Sequence, residues 1–93
     1  MHVEHDPMAQ KFTCEANGEE CFLAYTVING NLNVHFMFVP DGAEGERVAD
    51  ALVNAAFNFA RQNNTKIISS SAYVDEIFMK KHPEYTSLLE EPL

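Results

Sequence analysis

The chain has 93 residues, 46% of them hydrophobic, including three Tyr and seven Phe. That is enough apolar material for the core of one small domain, and it excludes disorder as the state of the whole chain. The net charge of −8, from 14 acidic against 6 basic residues, excludes nucleic acid and anionic membrane as partners. Both are held by clusters of Lys and Arg, which this chain lacks.

No apolar run reaches the roughly 18 residues of a membrane span. The opening "MHVEHDPMAQ" has neither the basic flank nor the apolar stretch of an export signal. Residues 1 to about 9 read as a loose terminus, polar and without periodicity. His2 and His5 on such a segment make a poor ligand pair, so no metal is expected. "KFTCEA" (Lys11–Ala16) alternates as a half-buried strand does, and "NGEE" supplies a turn. "ECFLAYTVI" (Glu20–Ile28) is a second strand. The Asn29-Gly30 pair then suits a tight hairpin, because both residues accept positive φ. "LNVHFMFV" (Leu32–Val39) returns as a third strand, with Leu32, Val34, Phe36 and Phe38 expected on one face. Cys14 and Cys21 fall on these strands without zinc or C-x-x-C spacing. They read as buried reduced thiols, which places the protein in a reducing cytoplasm.

After Pro40 the apolar period changes from two to 3.6. Val48, Leu52, Ala55, Ala56 and Phe59 recur at three- and four-residue steps, predicting a helix from about Gly45 to about Asn63. "KIISSS" (Lys66–Ser71) is a short strand that, after a helical crossover, can pair in parallel. "AYVDEIFMKK" places Val74, Ile77 and Phe78 on one face of a second helix, which Pro83 stops. The expected order is βββαβα, an α+β domain over residues 1–93 with a mixed, mainly antiparallel sheet packed by helices.

The stretch "VPDGAEGERVADALV" (Val39–Val53) is a strand end, a loop and a helix start, an arrangement that presents free backbone N–H groups to an anion. Yet Asp41, Glu44 and Glu46 stand where the anion would arrive. Acidic residues in a first turn also stabilise a helix by about 0.3–1 kcal/mol with no ligand at all.

With "FMFVPDGAEGERVADALVNAAFNFA", "KIISSSAYV" and "KKHPEYTSLL" in the same order and spacing, the chain resembles the small, single-domain branch of the GNAT N-acetyltransferase superfamily. In that branch a strand ends in H-T-x-V-P, R-G-x-G-I-A opens the helix, a later strand ends in C-x-[YF]-V, and a helix closes with H-P-x-Y. The resemblance implies the GNAT fold and acetyl-coenzyme A as the coenzyme. It implies contacts from Phe38 and Val39 at the strand end. It also implies that backbone N–H groups of Gly45, Glu46, Arg47, Val48 and Ala49 face the pyrophosphate, and that an amine accepts the acetyl group. The acceptor and the oligomeric state are left open by the sequence.

The departures from the pattern fall on the chemistry. Glu44 holds the place of a basic residue and Arg47 that of a glycine. A carboxylate roughly 8 Å from a phosphate costs about 2 kcal/mol at an effective dielectric near 20, before screening. Weak coenzyme binding is therefore expected, and a non-catalytic binding or interaction module is the alternative to an acetyltransferase. Ser71 replaces the motif cysteine and has no base beside it in sequence, so it reads as a helix cap before it reads as a nucleophile. For proton transfer the candidates are Tyr73, His82, Glu84 and Tyr85, and histidine is the residue type most often used for such work. The family histidine's place, four before Pro40, is held by Phe36, and His35 is one residue out of register.

Overall fold

The computed structural model describes residues 2–90, the side chain of Ala43 excepted. The extreme ends of the expected 1–93 domain thus lie outside the described residues. Five strands form one sheet in chain order: β1 (Glu4–Asp6), β2 (Lys11–Ala16), β3 (Glu19–Ile28), β4 (Asn31–Phe38) and β5 (Ile67–Ser69). The first four are antiparallel neighbours, and β5 joins β4 in parallel after the crossover helix α1 (Gly42–Gln62). The α+β class and the mixed, mainly antiparallel sheet are as the sequence implies.

Both tight hairpins are Asn-Gly turns. Asn17 and Gly18 (φ 53° and 78°) join β2 to β3, and Asn29 and Gly30 (φ 52° and 82°) join β3 to β4. Positive φ at both central residues gives the turn whose twist matches that of the strands.

The N-terminal segment corrects the sequence reading. Residues 4–6 are not loose: they pair with Lys11–Thr13 as β1. The side chain of Asp6 accepts a hydrogen bond from the Ala9 N–H at 3.1 Å, and Pro7 follows it. Asp before Pro is a turn signal of its own. His5 then points inward. It stacks on Phe12 (ring centroids 4.3 Å apart, 10° between planes), meets Phe59 edge-on at 4.5 Å and lies 2.7 Å from the Tyr25 hydroxyl.

The second correction lies in β4. Tyr25 faces Val34 but Ala24 faces Phe36, so His35 is an extra residue, a β-bulge. Because strand side chains alternate, one extra residue reverses every position beyond it. Leu32 and Val34 stay in the core at 4% and 1% exposure, while Phe36 and Phe38 turn to the opposite face at 55% and 43%. The four do not share one face.

The helix α1 lies on the inner face of the sheet. Val48, Leu52 and Ala56 are fully buried, as the periodicity requires, and Val53, Phe57 and Ala60 join them. Phe59 sits at the margin, against His5 and Phe12. Gly42 begins the helix, three residues earlier than expected. Beyond β5 the chain forms a π-helical turn (Val74–Phe78), the short helix α2 (Met79–Lys81) and a 3-10 segment (Pro83–Leu88). Val74 and Phe78 are buried, but Ile77 is 43% exposed, because the wider π turn rotates it off the packed face. Phe57, Phe78 and Tyr85 stack with near-parallel rings at centroid distances of 5.0–5.9 Å, clamping these turns to α1. Leu89 bridges Ile67, and the Glu90 N–H donates to the Ile67 carbonyl at 2.8 Å, which covers the outer edge of β5. Cys14 and Cys21 face each other across β2 and β3 as buried thiols with no disulfide between them, and burial raises both pKa values.

Leu52→Ala should lower stability by about 2–5 kcal/mol, since the fully buried side chain leaves a cavity against the sheet that its neighbours fill only in part. Urea unfolding measures this. The His5 imidazole has its pKa lowered from 6.5, chiefly by burial, with Asp6 opposing. The unfolded chain therefore takes up the proton more readily than the folded one, and stability should fall as pH drops through 6.5 and below. His5→Phe should flatten that part of the pH–stability curve.

Candidate coenzyme and acyl-transfer site

The bulge at His35 coincides with the end of the parallel pair. Leu32, Asn33 and Val34 pair with Ile67, Ile68 and Ser69, and the last backbone bond runs from the Ser70 N–H to the Val34 carbonyl at 3.0 Å. Beyond it β4 continues to Phe38 with β3 alone as its neighbour, while the chain after β5 turns away into helix. The two parallel strands thus part at their carboxyl ends, where open α/β sheets hold ligands.

At the same end α1 begins. By helix geometry its unpaired N–H groups belong to Gly42, Ala43 and Glu44. The N–H groups of Glu46, Arg47, Val48 and Ala49 are spent on carbonyls four residues earlier, and Val48 and Ala49 are buried. The helix takes in the loop, so the unpaired N–H groups lie nearer the chain start than the Gly45 to Ala49 run that the resemblance implies. Gly45 matters for packing instead, since a Cβ there would overlap the Pro40 carbonyl oxygen. Its bare Cα lets the strand exit pass directly over the helix, with Val39 packed on the core.

Glu44 and Arg47 lie 3.9 Å apart on successive turns, Arg47 toward solvent and Glu44 half-buried. Glu46 reaches the other way. It accepts from Lys81 Nζ at 3.2 Å, and its backbone carbonyl accepts from the Tyr73 hydroxyl at 3.4 Å. One turn on, Asp50 lies 3.3 Å from both Lys81 Nζ and His82 Nε2. The Lys81 contact lacks hydrogen-bond geometry, leaving Asp50 Oδ1 held by charge alone. Glu84 lies 3.3 Å from His82 Nδ1, and the buried Tyr85 hydroxyl donates to Asn54 Oδ1 at 2.7 Å. Glu46, Asp50 and Asn54 are a polar stripe at four-residue spacing beside the apolar face of α1. Lys81, which stood outside the candidates drawn from sequence, brings a cation to this cluster. The stripe was the signal that could have found it.

Electrostatics follow from these contacts. Burial raises the Tyr73 pKa most, Lys81 opposes and Asp50 and Glu46 add to the rise, so the phenol keeps its proton. Burial works against the charge on Lys81. Its hydrogen bond to Glu46 and its contacts with Tyr73 and Asp50 outweigh that and hold its pKa above 10.5.

Of the expected chemical residues, the structure brings Tyr73 and His82 into one cluster but not Ser71. The Ser71 carbonyl accepts the Asp75 N–H at 3.2 Å and its own N–H meets Ser69 Oγ at 3.4 Å. No base contacts its hydroxyl among the described residues. The cap is made by the Ser71 carbonyl, not by its side chain. His82 is half-buried between two carboxylates and over Phe78, a clasp between α1 and the C-terminal turns.

The fold is an α+β domain with a mixed sheet whose parallel pair parts beside a helix start. Comparison with known families adds the family. The model of the GCN5-related N-acetyltransferase family matches residues 11–88. The chain belongs to that family.

Gly45→Ala should lower stability by about 1–3 kcal/mol, because strand exit and helix must separate to admit the methyl group. Thermal unfolding in parallel with Ala49→Gly, which removes a buried methyl without a clash, distinguishes crowding from a general helix effect.

Proposed function

We propose that this protein is an acetyl-coenzyme A-dependent N-acetyltransferase of minimal size, with coenzyme binding weakened at the phosphate end. The observation that carries the reading is the opening of β4 from β5 after Val34, beside the free N–H groups at the start of α1. Bound there, the coenzyme would supply an activated acetyl thioester. The N–H groups of Gly42, Ala43 and Glu44 would meet its pyrophosphate, and backbone groups of β4 between Phe36 and Val39 would orient its acyl end. Tyr73 holds a proton at its hydroxyl, a few residues beyond the end of β5, and is the group suited to release one. With no base at Ser71, the residues support direct transfer to an amine and no acyl-serine. The two buried thiols suit a reducing cytoplasm, and no helix among the described residues is long and apolar enough to cross a membrane.

A second reading has its own observation. Glu44, half-buried at 38% side-chain exposure, puts a carboxylate at the helix start, and the nearby Arg47 is drawn onto it. A GNAT-fold domain that has given up the coenzyme would look the same. Calorimetry separates the two. Acetyl-coenzyme A should bind the protein saturably but weakly. Glu44→Arg with Arg47→Gly should tighten binding by about tenfold, since one repulsion at close range is replaced by an attraction. Equal affinities would remove the charge explanation, and no binding by either protein would favour the non-catalytic domain.

A further inference from the structure

The face of the sheet opposite α1 has a composition of its own. Across the strands, one row in register is Glu4, Thr13, Phe22 and Phe38, and the next is Asp6, Lys11, Ala24 and Phe36. Glu15 and Glu20 oppose each other in a third. The three phenylalanines form a continuous aromatic strip, Phe22 to Phe36 at 5.9 Å and Phe22 to Phe38 at 6.1 Å between centroids. Four carboxylates, those of Glu4, Asp6, Glu15 and Glu20, flank it on the β1–β3 side. A depression there is lined by His2, Glu4, Thr13, Cys14, Glu15 and Glu20. Phe36 and Phe38 remain about half exposed, so no helix covers the strip.

An ammonium group already sits on this surface. Lys11 Nζ lies 5.2 Å from the centre of the Phe22 ring and 3.0 Å from Glu20 Oε1. A cation over an aromatic face, closed by a carboxylate, is how proteins recognise alkylammonium groups, and here the chain provides one from its own side chain. Like charges facing each other on neighbouring strands, as Glu15 and Glu20 do, are unfavourable until a cation comes between them. With strands about 4.8 Å apart, the carboxylates of β2 and β1 stand roughly 10 and 14 Å from β4, the strand that borders the proposed coenzyme site.

We infer that this open face binds aliphatic amines carrying a second positive charge, and that it is the acceptor side of the protein. The distal ammonium rests among Glu4, Glu15 and Glu20, and the apolar chain lies along Phe22, Phe36 and Phe38. The near amine then reaches the end of β4. The role as acceptor side rests on the acetyl-transfer reading; the binding does not.

The test needs no coenzyme, so its failure is distinct from a failure of coenzyme binding. Phenylalanine ring signals are followed by NMR during titration with 1,5-diaminopentane, pentylamine and pentan-1-ol. A parallel titration uses an end-blocked Gly-Lys-Gly-Lys-Gly peptide. The rings of Phe22, Phe36 and Phe38 should shift saturably, most tightly with the diamine, less with the monoamine and not with the alcohol. Lys11→Gln vacates the Phe22 ring and should tighten diamine binding about two- to fivefold; Glu20→Gln should weaken it by a similar factor. Tighter binding of the peptide than of the diamine would overturn a free diamine as the occupant of this face. Equal response to the alcohol, or no gain in Lys11→Gln, would overturn the proposal. So would ring shifts that follow protein concentration without amine, which would mean that a second copy covers the face.

Discussion

One extra residue in β4 governs the rest of the structure. The bulge at His35 does two things at a single point. It adds local twist where β4 must part from β5, so parallel pairing ends at Val34 and the two strands part next to the start of α1. It also reverses the side-chain alternation, sending Phe36 and Phe38 outward and leaving Met37 and Val39 to pack inward. Without it, two phenylalanines would press on a helix whose inner face already carries Phe57, Leu52 and Val53. The site and the bare aromatic face thus have one geometric origin.

The helix layer is fixed by a different kind of contact. Apolar burial sets α1 against the sheet, but the C-terminal turns are too short to hold themselves, and helices of this length are marginal alone. They are held by the Phe57, Phe78 and Tyr85 stack and by a row of polar clasps from Glu46, Asp50 and Asn54 to Lys81, His82 and Tyr85. Lys81 and His82 are therefore occupied in joining elements. Tyr73 is tied in by one bond to a backbone carbonyl, and it keeps a hydroxyl whose proton is firmly bound.

Much of this was legible from residue pattern. Two Asn-Gly pairs marked the hairpins, and the shift of period after Pro40 marked α1 and its buried Val48, Leu52 and Ala56. The bulge was not legible, because Leu32, Val34, Phe36 and Phe38 alternate without a flaw and nothing in β4 argues for an extra residue. β1 was missed because His5, a polar residue by type, serves as an aromatic core residue once Phe12, Tyr25 and Phe59 surround it. At the helix start, the sequence put the first turn three residues late, so the unpaired N–H groups of α1 are those of Gly42 to Glu44. Gly45 looked like a ligand glycine, whereas its missing side chain admits the Pro40 carbonyl.

The charges set the balance between the two sides of the sheet. Lys11, Arg47 and Lys81 each lie against carboxylates of the same chain, so half of the six basic residues are already engaged. None of these three is left over at the start of α1 to meet a phosphate. Affinity for the proposed coenzyme would then have to come from backbone N–H groups and apolar contact, which are worth less than a guanidinium clamp against the field of a chain at −8. That same field works in favour of a cation approaching the outer face, where carboxylates outnumber Lys11. With 6 basic against 14 acidic residues, the chain carries no excess of the side chains that would clamp a phosphate, and its outer face carries an excess of those that would meet a cation.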